Sequence, residues 1–599
     1  MRALTGSLSL GLVSLFIAQA APAAVVFVNK NVVGGTHSGT TWANAATTLD
    51  AGLGVFGSSL SYTEVWVAAG TCVPTDSTTP VTFGRNVKLL GGFTGTETLA
   101  SQADPAANVT IITGDLSNND PNYSDNANQL LMIIASPVNS DTVVDGFTFK
   151  NARNLYFTPG GAGLILSRAI VTGSLDKAVV SRCKFVNNGG LRIRTQLGAA
   201  ISSLGNSLRV VDCQFDNNFA DPTNDGNTDI AGGAAVYAVG KGTGGDPQEI
   251  EIANCHFTGN YAFSEQSCGG AVYTTADIVA TIANCDFVGN YTSLESGGSE
   301  TIGGAVYLEN SNNASLIANC KFTGNSGIDS GGSGAKGGAI AIEKGNVEID
   351  QCTIAGNDAD IGGGIYIRDT VGSAAATIKN CIIWDNTSND SSALDKQYRA
   401  GTGGSFSTTY SDVAGISSGT GNINLTPAFI NAGGGHYRLK GMSPCIELGN
   451  QAARPNDNGD VDEDNVQAES HPLDLDATSR VQYVQMDMGA YEYVASCLGD
   501  LDADGDVDAV DLCTLSGQWS GTGGADLDCS GSVGAADLGI LLGAWGSCGS
   551  FSVGGGEEGP TPWGLAASLS LENVEELADY LGSLDFKDMQ TLLAAYFGM

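Results

Sequence analysis

Between about residues 140 and 400, hydrophobic positions come in short alternating runs such as Val306-Tyr307-Leu308 and Ile340-Ala341-Ile342. Period-two alternation in runs this short is strand-like and leaves no room for a helix. Each run follows a glycine unit: Gly232-Gly233-Ala234, Gly269-Gly270-Ala271, Gly303-Gly304-Ala305, Gly337-Gly338-Ala339 and Gly362-Gly363-Gly364. Interleaved with these is a second unit, Asn254-Cys255-His256-Phe257-Thr258-Gly259-Asn260. It recurs from Asn284 to Asn290, from Asn319 to Asn325 and, as a variant, from Gln351 to Asn357. Further copies run from Cys183 to Asn188, Cys213 to Asn218 and Cys381 to Asn386, with successive cysteines 30, 42, 30, 35, 32 and 29 residues apart. A fixed motif with variable spacing means one structural coil per copy, with loops of different length between copies.

Parallel stacking of such coils, about 4.8 Å apart, superposes equivalent residues. Phe257, Phe287 and Phe322 are then expected to form an internal aromatic column, continued by Ile354 and Ile383. Asn260, Asn290, Asn325 and Asn357 would form an amide ladder at a turn. The repeated Cys255, Cys285, Cys320 and Cys352 read as a buried column of free thiols, because cysteine behaves as a small apolar residue when stacked inside. Tyr237, Tyr273, Tyr307 and Tyr366, each following a glycine unit, would either pack at strand ends or form an exposed stacking row.

The alternation of Gly-Gly-Ala with Phe-x-x-Asn resembles the right-handed parallel β-helix repeats of polymorphic outer-membrane-type and pectin-lyase-like proteins, over roughly residues 140–400. The flanks fit the same body: Val25 to Asn29 as a first strand, Glu64 to Thr71 as an entry coil, and Asp487-Met488-Gly489-Ala490-Tyr491-Glu492-Tyr493 as the close. The resemblance implies an all-β right-handed parallel β-helix over residues 24–494 and an activity on acidic polysaccharides by elimination or hydrolysis. Asp358, Asp360, Arg368 and Asp369, close together near the last full repeat, are the catalytic candidates. Glycan binding without turnover, or a non-catalytic surface or adhesion role, is the alternative.

Composition narrows the partners. The 599 residues carry 64 acidic and 26 basic side chains, a formal charge of -38. That excludes nucleic-acid binding through a positive field. Residues 1–23, basic then apolar then small, read as a secretory signal, so the protein is expected to be secreted or held at the cell surface. No later run is apolar enough to be a transmembrane segment. His37, His256, His436 and His471 are too scattered for a zinc centre.

Carboxylates crowd residues 456–476, which would hold calcium in addition to the sites that follow. Asp500, Asp502, Asp504, Asp508 and Asp511 fall at positions 1, 3, 5, 9 and 12 of a loop, with Gly505 at 6 and Asp506 at 7 supplying its carbonyl. This matches the twelve-residue calcium loop. A second copy places Asp526, Asp528, Ser530, Ser532 and Asp537 at positions 1, 3, 5, 7 and 12. Val507 at position 8 would pair with the partner loop. Each loop opens a short helix. The duplicated unit, residues 495–549, resembles a type I dockerin, a small all-α EF-hand-like domain. That likeness implies two bound Ca2+ and a cohesin-like partner met around Val510, Cys513, Ala536 and Gly539. Cys497, Cys513, Cys529 and Cys548 are even in number and local, consistent with one or two disulfides. Residues 550–569 read as a linker and 570–599 as a short helical tail.

Overall fold

A computed structural model describes residues 24–547, except 136–137, 155–160, 169–175, 191–195, 223–228, 241–246, 276, 296–297, 310–313, 330–333, 369–373, 441–442, 463, 465, 467–468, 482–484, 494–498, 502–505, 508, 518, 520–524, 526 and 528–532. The signal, the linker and the helical tail therefore lie outside the described residues. The chain divides into two compact units. One comprises the chain up to Leu425 with Gly449–Arg480 and Met488–Ala490; the other comprises Thr426–Leu448, Val481–Asp487 and the chain from Tyr491 on.

The first unit is a parallel β-solenoid. One coil runs through Gln248–Ala253, His256–Thr258, Tyr261–Ser264, Gln266–Cys268 and Val272–Thr274 before the next begins at Ile278–Ala283. These strands stack into sheets of twelve, eleven, six, four and ten strands respectively. Insertions do not disturb the register: Phe215 pairs directly with Phe257, as Phe257 does with Phe287.

Two corners bend each coil. The residue before each repeated cysteine is left-handed, with φ of 52° at Asn254, 52° at Asn284 and 49° at Asn319. The residue before each ladder asparagine is left-handed as well, as at Asn217 (53°) and Gly259 (62°). Asn and Gly adopt this conformation at least cost, which explains their recurrence in the motif.

Inside, the expected columns are present and longer than the sequence motif implied. Phe149, Phe185, Phe215, Phe257, Phe287 and Phe322 stack with centroids 4.5–5.0 Å apart and planes within 7°. Ile354 and Ile383 continue the column in register. The amide ladder runs from Asn188 through Asn218, Asn260, Asn290, Asn325 and Asn357 to Asn386. Each Nδ2 donates to the next Oδ1 at 2.9–3.1 Å, and Gln397 closes the series by accepting from Asn386 at 2.8 Å. A second amide ladder, at the other corner, has Asn319 donating to Asn284 and Asn284 to Asn254, at 2.8 and 2.7 Å. The seven repeated cysteines are fully buried and unbridged. The Cys213 amide donates to Cys255 Sγ at 3.4 Å, and burial pushes the Cys183 and Cys213 thiols well above their usual range.

The glycine unit is corrected in its first copy. Val236 pairs with Val272, which sets Gly233, not Gly232, opposite Gly269. The copy is thus Gly233-Ala234-Ala235, and the register reveals two earlier ones, Gly161-Ala162-Gly163 and Gly198-Ala199-Ala200. Gly270, Gly304 and Gly338 follow because a Cβ there would lie 2.0–2.3 Å from a carbonyl of the next coil.

A strap formed by residues 456–480 crosses the first corner. Val461 packs on Val211, Ala253 and Ala283, Asn254 donates to the Val461 carbonyl and Asn319 to that of Leu473. Fully buried Arg480 donates to Asn319 Oδ1 at 3.3 Å and to the Gly489 carbonyl at 2.8 Å.

In the second unit, Phe429–Asn431 pairs antiparallel with His436–Leu439. Further on, helices Ala509–Gly517 and Ala535–Gly543 bury Leu512, Leu515, Leu538, Leu541 and Leu542. Val507 pairs with Gly546, beyond the second helix; most of the second loop, its expected partner, lies outside the described residues. Among the described residues no helix is long and apolar enough to cross a membrane.

Candidate functional site

Outward-facing positions of the ten-stranded sheet carry the most ordered polar network of the solenoid. Tyr237, Tyr273 and Tyr307 stand in one register row, and Glu309, Glu343 and Arg368 in another. The four-stranded sheet, including Gln266–Cys268 and Glu300–Ile302, lies beside them, so Cys268 and Ile302 bury the tyrosines to 8, 9 and 3% exposure. The tyrosines therefore pack, and of the four only Tyr366 is half-buried. Burial pushes the Tyr307 hydroxyl well above its usual range.

Arg368 is the centre of this network. It donates to Glu300 at 2.6 Å and lies 3.5 Å from Glu343. Burial opposes its charge, but Glu300 and Glu343 hold its pKa above the usual value. Tyr307 donates to Glu343, Tyr273 to Glu309 at 3.2 Å, and Lys336 to Glu300 at 2.8 Å. The other catalytic candidates are elsewhere engaged. Exposed Asp358 accepts from the Thr387 hydroxyl, while Asp360 accepts from Asn389 and from the Ala335 amide at 2.6 and 2.8 Å. Asp369 lies outside the described residues. Arg368 is thus joined to two glutamates that the linear spacing did not reveal, because Glu300 comes from a strand of the neighbouring four-stranded sheet and Glu343 from the adjacent coil. Each charge in this network is held by an opposite one, an arrangement suited to rigidity more than to moving a proton.

In the strap, carboxylate oxygens of Asp457, Asp462 and Glu469 lie within 4.8 Å of one another, as do those of Asp460, Asp462 and Asp464. Burial, with Asp462, Asp460 and Glu469 close by, pushes Asp457 up to about 6. Arg209 reaches this group from the solenoid, 3.5 Å from Asp460.

The duplicated module repeats its geometry as well as its sequence. Asp511 accepts from the Leu501 amide at 2.5 Å and Asp537 from the Leu527 amide at 2.6 Å, so in each copy the twelfth loop position is tied back to the second. Both carboxylates are buried, at 0 and 1% exposure. Residues 495–549 contain nine aspartates and no Lys, Arg or His. Two buried carboxylates in a segment without a cationic side chain suit the oxygen-ligand chemistry of a hard cation. Asp500 begins the first loop; Asp502, Asp504, Asp508, Asp526, Asp528, Ser530 and Ser532 lie outside the described residues, as does the side chain of Asp506. Val510, Cys513, Ala536 and Gly539 fall on the two helices. The pairing of Cys497, Cys529 and Cys548 also lies outside the described residues.

No protein-family model matches the chain, and no curated protein matches it.

Proposed function

We propose that this is a secreted protein of the right-handed parallel β-helix class whose body recognises an extracellular polysaccharide. Its C-terminal dockerin-like module would bind two Ca2+ and attach it to a cohesin-type partner. The observation that carries the reading of the module is the pair of buried, equivalently tied carboxylates, Asp511 and Asp537, in a segment with no side-chain cation. When bound, calcium would supply the positive charge that the donor set lacks. Asp500, Asp511, Asp526 and Asp537 would hold it with the intervening loop oxygens, and the Asp457–Glu469 cluster offers similar chemistry.

For the body, recognition is favoured over turnover because Arg368 and Lys336 together neutralise Glu300 and Glu343. The test is incubation of the mature chain with neutral, acidic and basic polysaccharides, reading retention by affinity electrophoresis and products by absorbance and reducing ends. Retention without products is expected. Unsaturated ends would reveal a lyase, and reducing ends without that absorbance a hydrolase. No retention of any polysaccharide would leave a surface or adhesion role.

A further inference from the structure

The six-stranded sheet presents an outward row that no repeat motif announced. In register it reads Arg153, Gly189, Phe219, Tyr261, Tyr291 and Ser326, and a bridge extends it from Ser326 to Asp358. Three aromatic rings form a stack: Phe219 on Tyr261 at 5.6 Å, and Tyr261 on Tyr291 at 4.9 Å with planes 3° apart. The two ends of the stack differ. At one end, the small residue Gly189 opens a gap, and the Arg153 guanidinium reaches across to lie 4.8 Å from the centre of the Phe219 ring. At the other end the next residue is again small, Ser326, but the residue beyond it is an aspartate. Among the described residues Tyr291 meets no ring except Tyr261, and the next residue in the row on its other side is Ser326. The side chain of Asp358 is exposed, and only its Oδ1 is taken, by Thr387.

We infer that the notch between the Tyr291 ring and Asp358 binds a cationic group, the ammonium of an amino sugar in a basic polysaccharide; this rests on the polysaccharide-recognition reading above. Tyr291 and Asp358 are two coil steps apart, about 9.6 Å. A cation midway would sit about 4.8 Å from the ring, inside the roughly 6 Å range of cation–π attraction, with a carboxylate on its other side. The molecule already places a cation against this stack internally: the Arg153 guanidinium lies 4.8 Å from the Phe219 ring and 4.1 Å from that of Tyr123. Charge agrees: Asp221 and Glu295 stand beside the row, with burial and Glu295 holding Asp221 up at about 6. The whole chain, at -38, draws polycations and repels uronates.

Calorimetry of the full chain with a glucosamine hexamer and with its fully N-acetylated counterpart tests this. The basic hexamer should bind, more weakly as salt is added, and the acetylated one should not. Asp358→Asn, at an exposed position, should weaken binding about tenfold, the loss expected of a charge-assisted contact. Ser326→Tyr should abolish it by adding a fourth ring in the notch, with circular dichroism and melting unchanged. Equal binding of both hexamers, or binding indifferent to Asp358→Asn, overturns the inference. If neutral or acidic polysaccharides bind and the basic hexamer does not, the notch fails while the recognition reading stands; if no polysaccharide binds, both fail.

Discussion

Replacing Asn290 with Ala tests whether the amide ladder holds the coils together. Asn290 is fully buried. Its Nδ2 donates to the Phe257 carbonyl at 2.9 Å and to Asn325 Oδ1 at 3.0 Å; its Oδ1 accepts from the Asn260 amide at 3.0 Å and from Asn260 Nδ2 at 2.9 Å. Truncation removes all four. Asn325 Oδ1 keeps the Asn290 backbone amide as donor and the Phe257 carbonyl keeps its strand-pairing donor, but the Asn260 amide and one Asn260 side-chain hydrogen are stranded without water. At about 1–3 kcal/mol for each of these two buried unsatisfied groups, and allowing for non-additivity among neighbours, the loss is about 2–5 kcal/mol. In a solenoid that loss is felt first by the coils on either side. Hydrogen exchange at the Asn260 amide is therefore the sharpest assay, with urea unfolding as the global one. Each 1.4 kcal/mol is tenfold, so protection of that amide should fall by about 1.5 to 3.5 decades. A loss below about 1 kcal/mol, with Asn260 still protected, would show that the ladder does not support the corner.

The seven core thiols should resist an aromatic disulfide reagent in the native protein and react stoichiometrically in denaturant without reductant; a bridged core would leave them unreactive there too. Asp511→Ala and Asp537→Ala should each remove one calcium-binding event from calorimetry of the full chain, and retention of both events in both variants would refute the loop assignment. Asp350 is fully buried, and burial holds its carboxyl up at about 8 against an ordinary 3.8. A raised carboxylate pKa means that the folded state binds more protons between those values, so its contribution falls as pH rises from 3.8 to about 8. Asp350→Asn should consequently stabilise the protein by at least about 1.4 kcal/mol at pH 8 and leave it unchanged below pH 3.5. Melting curves that differ equally at both pH values would contradict this origin.

The inner columns were legible because each belongs to one short motif at constant register: cysteine, phenylalanine two residues on, asparagine three further. The Phe column continues to Phe149, outside the cysteine-bearing copies, where the motif gave no marker. What lay between the motif copies was hidden, since spacings from 29 to 42 residues give no register until the strands are paired. Glu300 reaches Arg368 across 68 residues for that reason. The glycine unit was misaligned by one at its first copy because Gly232 and Gly233 are adjacent, and only the pairing of Val236 with Val272 distinguishes them. The outer aromatic row did have a signal: the residue after the ladder asparagine is Phe219, Tyr261 and Tyr291 in three successive copies. The duplicated aspartate pattern was the opposite case: its spacing is plain in the sequence, and the structure adds the burial of Asp511 and Asp537.

The two amide ladders also have polarity. Along the inner one every Nδ2 donates toward the later coil, an orientation enforced by the backbone amides that donate to the same oxygens. Along the corner ladder the donors aim toward the earlier coil. The aligned peptide units of a helix sum to a macrodipole; here two counter-running rows of side-chain dipoles subtract. Where both rows are present, between the coils of Asn254 and Asn319, the side-chain amides of successive coils therefore oppose one another along the axis; beyond that stretch the inner row runs alone.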